Sequence, residues 1–235
     1  MGRVFEKRKH KMFARFDRMA KTFTRIGKDI AIAVKQSGPN PDNNPRLRMA
    51  IQNAKGANMP KDRVDAAIKR ASSKEEKDFQ EVVYEGYAPH GVPVMVECAT
   101  DNPTRTVANI RLHFSKNGGA MGNSGSVGFM FERKGIFKFD PAKIDLDELE
   151  LDLIDAGAED IQKDEEEVII YTKFTDFGAM QKFLEAKKLE PKSSELQYIP
   201  NSTKELSEAH QDEVMECVTA LEADDDVQNV YHNLA

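Results

Sequence analysis

Tryptophan is absent from this chain of 235 residues, cysteine occurs twice and histidine five times. Cys98 and Cys217 lie far apart in apolar stretches, without the spacing of a metal ligand set, so buried reduced thiols are expected. His10, His90, His113, His210 and His232 show no ligand spacing with one another or with cysteine. No G-x-S-x-G elbow occurs, so a Ser or Cys nucleophile has no recognisable seat. These absences point away from an enzyme, a metal and a cofactor. No apolar run approaches the roughly 18 to 20 residues that span a bilayer, so no membrane partner is expected. The N-terminus is too charged for a secretory signal. It is Arg/Lys-rich and amphipathic, as a mitochondrial presequence is, but its periodicity runs into the following helices without a cleavage-like break. It reads as mature structure in a cytoplasmic protein.

What the chain does hold is charge, unevenly divided. Residues 1 to 77 contain 20 Lys and Arg against 8 Asp and Glu, a net of +12, and the remainder contains 14 against 32, a net of −18. Such a split suggests a polyanion-binding module joined to a body that binds little nucleic acid.

In the basic segment, Phe16, Met19, Phe23, Ile26, Ile30 and Val34 recur every three or four residues and define an apolar helical face. Lys11, Arg15, Arg18, Lys21, Arg25 and Lys28 step in the same way, centred about opposite it. Ser37-Gly38-Pro39 should end this helix, with Gly in the left-handed position. Asn44-Pro45 opens a second helix as cap and first residue. Leu47, Ala50, Ile51 and Ala54 form its apolar side, and Arg46, Arg48 and Lys55 its cations. Pro60 starts a third helix, Lys61 to Ala71, with Val64, Ala67, Ile68 and Ala71 facing inward. The second and third resemble a helix-turn-helix in spacing, a pattern many small bundles share. Ser72 to Asp78 reads as a polar linker.

After the linker the period changes from 3.6 to 2. Val82 to Tyr87 and Val92 to Cys98 read as strands around the turn Ala88-Pro89-His90-Gly91. Thr104 to Lys116 is a helix with Val107, Ile110, Leu112 and Phe114 apolar, and Val127 to Arg133 the next strand. Residues 135 to 199 follow as strand, helix, strand, strand, helix, strand, the ferredoxin-like order. Ser207 to Glu222 and Val227 to His232 form a helix and a strand without a local partner. They most simply complete the sheet of residues 79 to 133. The expected fold is α+β and multidomain. An N-terminal three-helix bundle (1–77) precedes a discontinuous α+β domain (78–133 plus 200–235) and a ferredoxin-like domain (134–199).

Several blocks together resemble the YebC/PmpR family of probable transcriptional regulators. They are Asn44-Pro45-Arg46-Leu47-Arg48, Asn58-Met59-Pro60-Lys61-Asp62, Tyr84-Glu85-Gly86-Tyr87, Thr100-Asp101-Asn102 with Arg105-Thr106, Gly125-Ser126-Val127, Phe131 to Gly135, and Asp224 to Asn233. The resemblance implies three domains, the first helical and two α+β, and cytoplasmic DNA binding. Related members are similar to translation activators acting on RNA or the ribosome. The opening Gly2-Arg3-Val4-Phe5-Glu6 departs from the Gly-His-Ser-Lys-Trp of many relatives.

The candidate nucleic-acid-binding residues are Lys7, Arg8, Lys9, Lys11, Arg15, Arg18, Lys21, Arg25, Lys28, Arg46, Arg48, Lys55 and Lys61. Cations hold phosphates of either nucleic acid, so DNA and RNA stay open as partners. A DNA-binding transcriptional regulator is the leading reading, a translation factor on RNA or the ribosome the second, and a protein–protein adaptor the third. The Gly-rich stretch Gly118 to Ser126 could cradle a phosphate, but it follows a helix and lacks the GxxxxGK[ST] signature. A flexible connection is the favoured reading. For Asp224-Asp225-Asp226 an acidic turn is favoured over a cation site.

Overall fold

Two units, Met1–Asp78 and Phe79–Ala235, make up the computed structural model. It describes the backbone of residues 3–73 and 78–235 and the side chains from Arg18 onward, outside residues 74–77. The linker expected at Ser72 to Asp78 falls largely outside the described residues. Among those described, seven α-helices and two four-stranded antiparallel sheets give a mixed α+β fold.

In the first unit, α1 (Arg3–Ser37), α2 (Pro45–Gly56) and α3 (Lys61–Ala71) follow one another, with α2 and α3 both packed on α1. Gly38 at φ +85° donates its N–H to Val34 O at 2.8 Å and closes α1, the left-handed stop that glycine adopts without a Cβ clash. The buried side of α1 begins at Phe23 and Ile26 and then widens, since Ile30 through Val34 are all buried. One helix face cannot hold five consecutive residues; two helices covering α1 from different sides can. Met19, expected on the apolar stripe, is exposed. Phe16 lies outside the described side chains. Ala50, Ala54, Ala67 and Ala71 are buried, and these small contacts let the helices approach closely.

Asn44 is the joint of this unit. Its Oδ1 accepts from Leu47 N (3.0 Å), while Nδ2 donates to Ala33 O (2.7 Å) and Gly38 O (2.9 Å). One buried amide thus caps the start of α2 and satisfies two carbonyls near the end of α1. Asn44→Ala should lower the stability of this unit by about 2 to 4 kcal/mol, one lost cap plus two stranded carbonyls. Asn44→Ser should keep the cap and lose only the donated bonds. Urea melts of both variants give the measurement, and equal destabilisation by the two would contradict this division.

The second unit holds both sheets. β1 (Gln80–Ala88) and β2 (Val92–Thr100) pair from Gln80↔Thr100 to Ala88↔Val92, around a turn with His90 and Gly91 at positive φ. β3 (Ala120–Met121) pairs with β1, and β8 (Val227–His232) pairs with β2, giving the order β3-β1-β2-β8. α4 (Pro103–Lys116) and α7 (Glu208–Glu222) supply Ile110, Phe114, Val214, Cys217, Val218 and Leu221 to one core with Val92, Val94, Val96 and Cys98 of β2. Both cysteines are therefore buried and unbridged. Burial pushes the Cys217 thiol up to about 11. Leu112, expected inside, is exposed, because Thr106, Ile110 and Phe114 already fill the inward side of α4.

The second sheet runs β5-β6-β4-β7. In chain order these are β4 (Phe131–Phe139), α5 (Leu146–Asp155), β5 (Ala158–Lys163), β6 (Val168–Lys173), α6 (Phe177–Lys187) and β7 (Ser193–Pro200). β4 corrects two expectations at once. Val127 to Arg133 is not a strand of the first sheet, and Phe131 to Arg133 continue into Phe139 as one strand, paired with β7 from Phe131 to Lys138. The N–H groups of Val127 and Gly128 are committed to the Glu85 carboxylate, at 2.7 and 2.8 Å, so no ladder can use them. A short 3-10 turn, Gly128–Met130, replaces the expected strand.

Deleting residues 207–235 should strip β8 from β2 and remove Val214, Cys217, Val218 and Leu221 from the core, leaving an open edge and an uncovered apolar face. Aggregation in size-exclusion chromatography is the expected result. A monomer with an unchanged melting transition would show that the tail is peripheral.

Candidate nucleic-acid interface

Helical geometry decides where the cations of the first unit lie. Arg18, Lys21, Arg25 and Lys28 sit three or four residues apart on α1, so they share one side of it over about 15 Å. The helix packs α2 and α3 against the side carrying Phe23, Ile26 and Ile30. Arg18 is exposed, and Lys21, Arg25 and Lys28 are half-buried. Lys7, Arg8, Lys9, Lys11 and Arg15 belong to the same helix, but their side chains lie outside the described residues.

On α2 the picture is different. Arg46 donates to Gln36 Oε1 at 3.0 Å, and Arg48 donates to the carbonyls of Pro41 (2.9 Å) and Asp42 (3.1 Å). Arg48 thereby holds the short 3-10 turn Pro41–Asn43 that leads into α2. At least part of its guanidinium is engaged inside the protein. Lys55 in the last turn of α2 and Lys61 at the start of α3 are exposed.

Four further cations lie on this unit beside those the sequence singles out. Lys69 and Arg70 are exposed in the last turn of α3. The Arg63 guanidinium sits 5.7 Å from the Phe23 ring centroid, a cation–π distance. Lys35 pairs with Asp78 at 3.2 Å. Lys35, Lys69 and Arg70 carry a signal in the sequence, as cations closing a helix, whereas the apolar spacing of α3 points to its other side.

The second unit accounts for the motifs that might have held an ion. The Gly125, Val127 and Gly128 N–H groups donate to the Glu85 carboxylate at 2.7, 2.7 and 2.8 Å. The Gly-rich segment therefore does cradle an anion with backbone amides, and the anion is the protein's own side chain. It is a pinned turn rather than a flexible connection. Burial works to raise the Glu85 pKa, yet the three N–H donors outweigh it and hold the group below its ordinary value.

The acidic turn is likewise spent on structure. Asp226 Oδ2 accepts from Thr106 Oγ1 (2.9 Å), Thr100 Oγ1 (3.2 Å) and Arg105 Nη2 (2.6 Å). Arg105 also reaches Asp101 at 3.0 Å, and its bonds to Asp226 hold its pKa above the ordinary arginine value. Asn102 caps α4 by accepting from Arg105 N. The blocks at 100–106 and 224–226 thus form one latch between α4 and the turn before β8. Among the described residues no group of three His, Cys, Asp or Glu is placed to hold a metal ion, and no helix is long and apolar enough to cross a membrane.

Comparison with other proteins matches this architecture to known ones. The family model "TACO1/YebC protein N-terminal domain" matches residues 3–74, and "TACO1/YebC second and third domain" matches residues 79–234. The chain is 58% identical over 240 residues to a probable transcriptional regulatory protein of Anaeromyxobacter dehalogenans (strain 2CP-C), covering all of both chains. It is 56% identical to a probable transcriptional regulatory protein of Myxococcus xanthus, again over all of both. The crystal structure of a conserved hypothetical protein from Aquifex aeolicus superposes with a TM-score of 0.80 at 40% identity, covering 92% of this chain and 90% of that one. With both family models matched in order and relatives aligned from end to end, the chain belongs to the TACO1/YebC family.

Proposed function

We propose that the protein is a cytoplasmic, non-catalytic nucleic-acid-binding regulator, most directly a DNA-binding transcriptional regulator, that grips phosphates through α1. The observation that carries this reading is the row Arg18, Lys21, Arg25 and Lys28, on a helix whose apolar side is taken by α2 and α3. About 15 Å of such a row can follow several phosphates, since each DNA strand carries one charge per 3.4 Å or so of axis. The names of the Anaeromyxobacter and Myxococcus relatives support the regulatory part. The net −18 of residues 78–235 would turn the body away from the polyanion and orient the complex.

The same reading divides the chain into a three-helix bundle (1–77), a discontinuous α+β domain and a ferredoxin-like domain, whose boundary, expected at 133/134, moves to the start of β4 at Phe131. Support comes from the pairing of β8 with β2 and from the antiparallel order β5-β6-β4-β7, the order of a β-α-β-β-α-β unit. Recovery of the protein from cells followed by sequencing of the nucleic acid bound to it tests the function. Promoter DNA supports the transcriptional reading. Ribosomal RNA would replace it with a translation factor, and absence of nucleic acid would leave an adaptor.

A further inference from the structure

In a chain that is 31% charged, residues 117–131 contain no Asp, Glu, Lys or Arg, and neither do residues 196–203. The fold brings these stretches together. Asn201 donates its backbone N–H to Met130 O at 2.9 Å and its Nδ2 to Phe129 O at 3.1 Å. Phe129 itself stands 70% exposed, whereas Phe114, Phe137 and Phe139 are wholly buried.

The backbone around this exposed ring is held on every side. Gly125, Val127 and Gly128 donate to Glu85, and Met130 N donates to Val127 O at 2.8 Å. Val127 and Phe131, flanking the turn, are buried. Three hydrogen bonds to a buried carboxylate fix a turn whose aromatic side chain contributes little to the core. Preorganisation of this kind lowers the ordering cost of binding.

We propose that Phe129 is a stacking platform for an unpaired nucleobase, with the amide of Asn201 beside it. Three features favour a base over a protein partner. Within residues 117–131 and 196–203 Phe129 is the one exposed large apolar side chain, whereas protein hot spots are packed apolar pockets. Two exposed polar residues of its loop, Asn123 and Ser124, offer amide and hydroxyl groups of the kind that meet base edges. The segment is also uncharged within a body of net −18, so here a strand can present a base without meeting acidic side chains of these segments. Stacking needs only a π-face and tolerates any base. The inference rests on the nucleic-acid reading above and adds to the first unit's phosphate grip a contact for single strands in the second.

The chain lacks tryptophan, so Phe129→Trp in the full-length protein places a single tryptophan at this position. The probes are mixed-sequence single-stranded RNA and DNA of about 12 nucleotides, within usual site sizes, and a duplex of the same sequence. Binding is followed by the anisotropy of an end-labelled probe, and stacking by tryptophan emission with an unlabelled one. Saturable quenching by a single strand, over the concentrations at which anisotropy rises, is expected. Phe129→Ala should bind the single strand about tenfold more weakly, with duplex affinity unchanged. Rising anisotropy with unaltered tryptophan emission would overturn the stacking inference and leave the nucleic-acid reading standing. A rise in anisotropy with the duplex alone would overturn the stacking inference only, and no change with any of the three probes would overturn both.

Discussion

Replacing Arg15, Arg18, Arg25 and Lys28 together by glutamine is expected to weaken binding to duplex DNA of any sequence by about 4,000-fold near 0.1 M salt. Each phosphate contact releases counterions and contributes roughly 0.9 to the slope of log K against log salt. Four lost contacts should flatten that slope by about 3.6, and at 0.1 M each carries close to a factor of ten. Glutamine is a good helix former, so α1 should persist, with circular dichroism as the check. The loss should be uniform across sequences, because these side chains meet phosphates and not base edges. Titrations at several salt concentrations measure both quantities. Retained affinity with an unchanged slope would show the row to be a solvated face.

The largest effect on stability is expected at Glu85. Glu85→Ala should cost the second unit about 3 to 5 kcal/mol, since three backbone N–H groups lose their acceptor and that of buried Val127 has no ready substitute. Glu85→Gln keeps one oxygen and should cost about half as much. The pH dependence separates charge from shape. The folded pKa lies below the ordinary value of 4.5, so the carboxylate's contribution is fully present above that value. It is lost as pH falls from there through the folded pKa, because the unfolded chain takes up the proton first. The wild type should therefore lose this increment of stability between about pH 4.5 and the folded pKa, and Glu85→Gln should lack it. Thermal melts across this range read the difference, and parallel pH profiles for the two proteins would refute the charged cradle.

The helices of the first unit were legible because their signals are local. Asn44 and Pro45 open α2, Pro60 precedes α3, and Gly38 ends α1, each through the chemistry of one or two residues. Apolar spacing also located most of the inward side of α4 and α7, and the change of period from 3.6 to 2 marked where sheet begins. The cation row of α1 was visible for the same reason, as a helix repeats every 3.6 residues whatever it packs against.

Contacts between distant residues were not legible. Val127 to Arg133 has the composition of a strand, yet Glu85, some 40 residues earlier, takes the N–H groups a ladder would need. Arg48 reads as a surface cation but clasps the carbonyls of Pro41 and Asp42. Asp226 reads as part of a solvated acidic turn and instead gathers Thr100, Arg105 and Thr106 from more than 115 residues away. Sequence alone determined the elements, the charge division and the stripe of α1, because each follows from neighbours along the chain. Tertiary structure alone decided which polar groups are spent inside the fold and left the apolar ring of Phe129 exposed. A hydrogen-bonding group's role depends on what reaches it through space, and no local pattern encodes that.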